Sequence, residues 1–216
     1  MNIILIGPPG VGKGTQAALL EAHYGIHPYS SGVIFRAEIE AGTDLGKLAK
    51  RYIDDGRLVP DGVTIEMMAK KLCSVEARRD GFMLDGFPRT VRQAEALDKI
   101  LVEEGVHLDA VVSLEVADDI LVSRLSGRLG CTKCGAIYHQ TNKPPKRDWI
   151  CDQCNSPLFV RSDDTEEAIR ERLNIFRENT KPVIDHYAAQ GLVRSILADR
   201  APDAVLQEII EAVGPK

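Results

Sequence analysis

Nine residues near the start of the chain, Gly7-Pro8-Pro9-Gly10-Val11-Gly12-Lys13-Gly14-Thr15, combine the glycines, lysine and hydroxyl of a phosphate-binding loop. Glycines let successive backbone N–H groups turn inward and form a nest for phosphate oxygens. Lys13 adds a mobile positive charge for the outer phosphates. The loop follows the apolar run Ile3-Ile4-Leu5-Ile6 and precedes the helix-like Gln16-Ala17-Ala18-Leu19-Leu20, so a helix dipole aims at the same anion. A ligand-free glycine turn needs none of the lysine, hydroxyl, strand and helix together. Gly14 departs from the general pattern, in which Ser or Thr follows the lysine directly; here the hydroxyl arrives one place later, at Thr15.

A second charged group follows another apolar run. Gly81-Phe82-Met83-Leu84-Asp85 reads as a buried strand ending in a carboxylate, then breaks at Gly86-Phe87-Pro88-Arg89 before a helix near Thr90. Ligand groups gather at the carboxyl ends of strands in an open α/β sheet, which puts Asp85 and Arg89 on the edge that carries the loop.

Four cysteines offer a third kind of chemistry. Cys131-x-x-Cys134 and Cys151-x-x-Cys154 are paired metal-ligand spacings, with Gly135 and Asn155 suited to the sharp turns of zinc knuckles. Four thiolates close a tetrahedral site with no open position, so the metal is expected to be structural. Zinc is the first choice, and tetrahedral sulfur also suits iron. Two redox or disulfide pairs are the competing reading, and a nucleic-acid-binding ribbon is another, which the acidic net charge weakens. The intervening polar residues bury too little apolar surface to fold without the metal. Cys73, alone in a helix-like stretch, reads as a buried small apolar residue.

The elements that hold these groups follow from periodicity. Strand patterns at 3–6, 27–30, 81–85, 109–114 and 192–197 alternate with helical ones, which implies a doubly wound parallel sheet with helices on both faces. Helices are expected from the loop onward, in two short pieces between Ser31 and about Asp55, from Pro60-Asp61, from Thr90, up to about Gly127, and over Pro202–Val213. A long amphipathic stretch from Asp164 to Gln190 carries Ile169, Leu173, Phe176 and Ile184 on one side, with a kink or break at Pro182. Segments 31–60 and 127–162 interrupt the alternation and read as insertions. The chain has 216 residues, 44% hydrophobic and 27% charged, with a net charge of −5, which fits one globular domain with insertions and argues against broad nucleic-acid binding. No apolar run approaches a membrane span and no signal pattern opens the chain, so a cytoplasmic location is expected.

Taken in order, GPPGVGKGT, the SSG…R at 30–36, LDGFPRT at 84–90, SGR at 126–128, the four-cysteine insertion and RSDD with Arg172 resemble the adenylate kinase family over nearly the whole chain. The resemblance implies a P-loop nucleoside-monophosphate-kinase core spanning 1–216, an AMP-binding insert at 31–60 and a mobile, zinc-stapled lid at 127–162. It implies the reaction MgATP + AMP ⇌ 2 ADP, a part in adenine nucleotide homeostasis, and a monomer that needs neither nucleic acid nor membrane. On the donor side it places Gly10, Val11, Gly12, Lys13, Gly14 and Thr15 at the ATP phosphates. Arg128 and Arg161 reach in from the lid, Arg124 lies against the donor adenine, and Ile137 and Tyr138 flank that base. On the acceptor side it places Ser31, Arg36, Arg57, Leu58, Val59, Gly86, Phe87, Pro88, Arg89 and Gln93 around AMP. Arg161 and Arg172 complete that set, Gln93 reading the adenine edge with its donor and acceptor. Lys13, Arg89, Arg128, Arg161 and Arg172 are the implied catalytic group, because phosphoryl transfer needs positioning and charge stabilisation more than covalent help. Arg170 and Arg194 receive no role.

Three positions depart from the family pattern. Val33 stands where an Asp usually helps to hold magnesium through water, which leaves Asp85 as the carboxylate near the metal. Leu129 replaces an arginine that often follows the lid arginine, and Asp199 falls near a usual glycine before the donor-base contact. Competing functions are a kinase of another nucleoside monophosphate, a nucleotide switch without transferase activity, and a simple NTP hydrolase. LDGFPRT argues against the switch, which needs no second phosphate clamp.

Overall fold

Strand β1 (Asn2–Ile6) is buried along its whole length, because both of its faces are covered. The computed structural model describes residues 1–215. The chain continues through α1 (Lys13–Tyr24), β2 (His27–Ser30), α2 (Ser31–Glu40), α3 (Asp44–Ile53), α4 (Asp61–Leu72), α5 (Val75–Asp80), β3 (Phe82–Asp85), α6 (Val91–Glu103), β4 (Ala110–Glu115) and α7 (Asp118–Ser126). Then come β5 (Arg128–Cys131), β6 (Ile137–His139), β7 (Leu158–Phe159), α8 (Glu166–Ile175), α9 (Lys181–Ala188), β8 (Val193–Leu197) and α10 (Pro202–Val213).

Five strands form one parallel sheet in the order β2-β3-β1-β4-β8. Period-two alternation divides its residues between two cores. Ile3, Leu5, Val112 and Leu114 pack with Leu20 of α1 and Ile209 of α10. Ile4, Ile6, Leu84 and Val111 pack on the other side with Met68 of α4, Leu97 of α6 and Tyr187 of α9. This is the expected doubly wound arrangement, and its parallel strands bring the loop after β1, Asp85 at the end of β3 and Ser30 at the end of β2 to one edge.

The first interruption is helical. Phe35 of α2, Ala49 of α3 and Val59 beyond them join the core that holds Met67 and Met68, so α2 and α3 are seated on the same core as α4. The second is a three-stranded antiparallel sheet, β6-β5-β7, with a small core of its own made by Leu129, Cys131, Tyr138, Cys151 and Leu158.

Three expectations need correction. Cys73 is exposed, because α4 ends at Leu72 and that leucine takes the last buried position of the helix. Helix α5 follows at once, capped by Ser74 Oγ, which accepts from the Ala77 N–H; its six residues are too few for a periodicity to register. The long stretch after Asp164 does not keep one apolar side. Ile169 and Leu173 face the core of α1 and α10, whereas Phe176 and Ile184 pack against the opposite core. A π-helical turn at Phe176–Thr180 changes the facing between α8 and α9. Pro182 sits in the first turn of α9, where its missing N–H costs no hydrogen bond.

Among the described residues, no helix is long and apolar enough to cross a membrane.

Candidate active site

A cleft of about 1310 Å³ opens at the carboxyl edge of the sheet, between the loop after β1, helix α2 and the three-stranded sheet. That exceeds the ~300–1,000 Å³ of a pocket for one small molecule. Every nucleotide-site residue named from the sequence lines it except Phe87, whose side chain is fully buried in the core. In LDGFPRT, the phenylalanine therefore anchors the turn while Gly86, Pro88 and Arg89 face the cleft.

The loop after β1 is held open by glycine. Gly10 has φ of 87°, and a Cβ there would come within 2.9 Å of Leu125 Cγ. Gly12, at φ 114°, is the residue before α1. Lys13 folds back over the loop, its Nζ donating to Gly7 O at 2.7 Å and Pro8 O at 3.0 Å. Burial lowers its pKa to about 8; Arg89, Arg172 and Arg128 act in the same direction and Asp85 against it.

Five segments deliver guanidinium groups to the same space. Arg89 follows β3, and its Nε donates to Gly86 O at 2.8 Å. Gly86 must be glycine, for it has φ of 73° and a Cβ would lie 2.7 Å from the Arg89 guanidinium. Arg128 opens β5 and grips Asp164 through Nε at 2.8 Å and Nη2 at 2.5 Å. Arg172 of α8 donates to Asp163 O at 2.7 Å and to Asp164 Oδ1 at 3.0 Å. Arg36 comes from α2, and Arg161 from the segment after β7.

These cations crowd one another. Burial and then Arg128 and Arg36 lower the Arg161 pKa to about 9, and burial also lowers those of Arg36 and Arg89. Burial alone would raise Asp163, yet Arg172, Arg36, Arg128 and Arg161 together hold it below the ordinary carboxylate range. Lys13 and five arginines thus face the carboxylates of Asp85, Asp163 and Asp164. The surplus is positive in a chain whose net charge is −5. Arg161 Nε is buried with no hydrogen-bond partner, one of three such side-chain atoms among the described residues, with Gln16 Oε1 and Ser113 Oγ. A buried guanidinium N–H with no partner, in a cluster of like charges, suits an anion.

Other named residues are more engaged than their types suggested. Gln93 is buried; its Oε1 accepts from Arg89 N–H at 2.8 Å and its Nε2 donates to Asp61 Oδ1 at 2.7 Å. Ser31 Oγ donates to Gly86 O at 2.6 Å. Arg124 is held through both terminal nitrogens, Nη1 donating to Val11 O and Nη2 to Ala198 O, each at 3.1 Å, which fixes the plane of its guanidinium at the cleft wall. Arg57 lines the cleft beside Leu58 and Val59, its Nη2 donating to Asp55 Oδ2 at 2.7 Å and its guanidinium lying over the Tyr52 ring. Tyr138 is in the core of the three-stranded sheet, its hydroxyl accepting from Asp152 N–H at 2.8 Å. Leu129 packs in that core too, and Val33 is half exposed in the cleft. Arg170 pairs with Glu166, and Arg194 donates to the Ala212 and Gly191 carbonyls.

Sequence reasoning missed the carboxylates that organise this basic cluster. Asp163 and Asp164 were read only as part of RSDD, and Asp61 only as a helix start; nothing in their local pattern says which cation each one meets.

The four cysteine sulfurs lie within 4.8 Å of one another, with Cys131–Cys154 at 3.4 Å and Cys134–Cys151 at 3.5 Å. A tetrahedral zinc with Zn–S near 2.3 Å sets sulfurs about 3.8 Å apart, so the donors fit. The two turns repeat one hydrogen-bond pattern. Cys131 N–H donates to Ala136 O and Gly135 N–H to Cys131 O, while Cys151 N–H donates to Ser156 O and Asn155 N–H to Cys151 O. Gly135 and Asn155 both have positive φ, at 71° and 57°.

Residues 5–192 match the family model described as adenylate kinase. A protein named adenylate kinase from Streptomyces avermitilis is 50% identical, covering 99% of this chain and 97% of its own length. One of the same name from Desulforamulus reducens is 48% identical over 99% of this chain and 100% of its own length. Another from Methanosarcina barkeri is 49% identical over 97% and 96%.

Proposed function

This chain belongs to the adenylate kinase family and transfers a phosphoryl group reversibly from ATP to AMP, giving two ADP, and we propose that it does so with the cleft residues in the following roles. The loop amides and Lys13 hold the donor β- and γ-phosphates, and Arg128 and Arg161 close on them from the three-stranded sheet. Arg89 and Arg36 clamp the AMP phosphate, while Arg172 stands between the two. The flat face of Arg124 stacks on the donor base, and Gln93 reads the acceptor base above Leu58 and Val59. The observation that carries this reading is the buried, unpartnered Arg161 Nε inside a cluster of like charges. Phosphates supply the missing anions at several points of that cluster at once.

The chain's own part in the reaction is positioning and electrostatics. Lys13 leaves the carbonyls of Gly7 and Pro8 for the donor phosphates. Arg89 stays in place, because its backbone is fixed at both ends, its N–H on Gln93 and its C=O accepting from Thr180 Oγ1 at 2.9 Å. Closure of 31–60 and 127–162 over the two nucleotides excludes water and so favours transfer to AMP over hydrolysis. Magnesium accompanies ATP, and the hard oxygens available to it are the Asp85 carboxylate, which accepts from Ser30 Oγ at 3.0 Å, and the Thr15 hydroxyl. When bound, magnesium would supply charge neutralisation at the phosphates. Cys131, Cys134, Cys151 and Cys154 would hold a zinc that staples the lid, and reduced thiolates suit a cytoplasmic location.

A coupled assay of ADP formation with AMP, GMP, CMP and UMP as acceptors tests the reading. AMP is expected to be strongly preferred. ATP consumption independent of any acceptor would point to a hydrolase.

A further inference from the structure

Gln93 carries a primary amide, and an amide can read two opposite patterns. In one orientation its oxygen and N–H match the N6 donor and N1 acceptor of adenine. Flipped, they match the O6 acceptor and N1 donor of a 6-oxopurine. A glutamine alone therefore does not choose between the two bases.

The surroundings of Gln93 do choose. Arg89 N–H is an obligate donor, and the amide atom 2.8 Å from it must be the oxygen. The Asp61 carboxylate accepts only, and the amide atom 2.7 Å from it must be the nitrogen. Both neighbours dictate the same orientation. Asp61 is itself held, since Thr90 Oγ1 donates to its other oxygen at 3.1 Å, and that same Oγ1 accepts from Gln93 N–H. Asp61 starts α4 and Thr90 caps α6, so the lock joins two helices of one core. One donor on Nε2 and one acceptor on Oε1 are left over for a ligand in the cleft that Gln93 lines. A flipped amide would set N–H against the Arg89 N–H and oxygen against the Asp61 carboxylate, and buried, mismatched polar groups discriminate far more strongly than shape does.

We propose that Asp61 is a positioning residue that sets base choice at the acceptor site, fixing the Gln93 amide so that it accepts 6-aminopurines and rejects 6-oxopurines. This rests on the placement of Gln93 at the acceptor base. The same network links base reading to phosphate clamping, because the atom opposite the Asp61 contact holds the backbone of Arg89.

The test is the ratio of kcat/KM for AMP to that for IMP, a pair that differs at positions 6 and 1 of the purine. In Asp61→Ala the ratio is expected to fall about tenfold, the worth of one buried hydrogen bond. In Asp61→Asn, which keeps the shape, it is also expected to fall, because an asparagine amide can itself turn and offer Gln93 either an acceptor or a donor. Each ratio is taken within one variant, so partial loss of fold cancels; Asp61→Ser is read the same way should the alanine variant not fold. An unchanged ratio in Asp61→Ala or in Asp61→Asn overturns the lock. Gln93→Leu tests the reading beneath it: a collapsed ratio is expected, and an unchanged one removes Gln93 from the acceptor base and the proposal with it.

Discussion

Arg128, on the first strand of the three-stranded sheet, holds Asp164 with two nitrogens at 2.8 and 2.5 Å, and the same carboxylate accepts from Arg172 at 3.0 Å. One buried anion thus keeps two arginines of the cleft from repelling each other while no nucleotide is bound. Asp164→Ala leaves the buried Arg128 without its carboxylate, while Arg172 keeps Asp163 at 2.9 Å, and a loss of about 3–5 kcal/mol in unfolding free energy is expected from urea denaturation. Asp163 adds a pH dependence of definite sign. Its folded pKa is depressed, so its contribution to stability is present above the unfolded value near 3.9 and lost as pH falls through the folded one.

Lys13 gives a dependence of the same sign in the alkaline range. With a folded pKa of about 8, against an unfolded value near 10.4, the unfolded chain binds more protons between the two, and stability rises across that window. Phosphate binding favours the ammonium form, so ATP is expected to bind with proton uptake near pH 8 and more weakly as pH rises beyond it. Calorimetry in buffers of different ionisation enthalpy checks this; a binding heat independent of the buffer would contradict it.

How much of this was legible in the chain depends on whether a signal is local. The phosphate loop, the five strands and the paired cysteines are patterns within short windows, and each appears where it was expected. The failures involve choices made by distant partners. Nothing near Cys73 says that Leu72 is the last buried residue of α4, and nothing in the period of Ile169, Leu173, Phe176 and Ile184 reveals the π-helical turn that splits them between two cores. Asp61 and Asp164 acquire meaning only once α4 meets α6 and β5 meets the segment before α8.

The metal prediction concerns the lid alone. Removing metal with a chelator is expected to abolish amide-exchange protection over 131–158 while β1 stays protected, since metal binding worth about 10–16 kcal/mol outweighs the small core of Leu129, Tyr138 and Leu158. Metal analysis of the untreated protein is expected to find one zinc per chain. Unchanged protection in the lid after chelation would assign its stability to that core.

Val33 is half exposed in the cleft, where it offers magnesium no oxygen. If Asp85, water and the phosphates carry the ion here, Val33→Asp is expected to lower the free magnesium needed for half-maximal rate. An unchanged magnesium titration contradicts that assignment.

The central claim is that the acceptor clamp at the end of β3 and the donor loop after β1 act on one transferred group. Steady-state ADP formation by Arg89→Ala, with AMP varied at saturating MgATP, tests it most directly. Arginines that stabilise a transferring phosphoryl group are worth about 10³–10⁵ in rate, and a fall of that order is the predicted result. A loss of less than about tenfold would remove Arg89 from the acceptor half, because it would leave no room for a transition-state contact of that size.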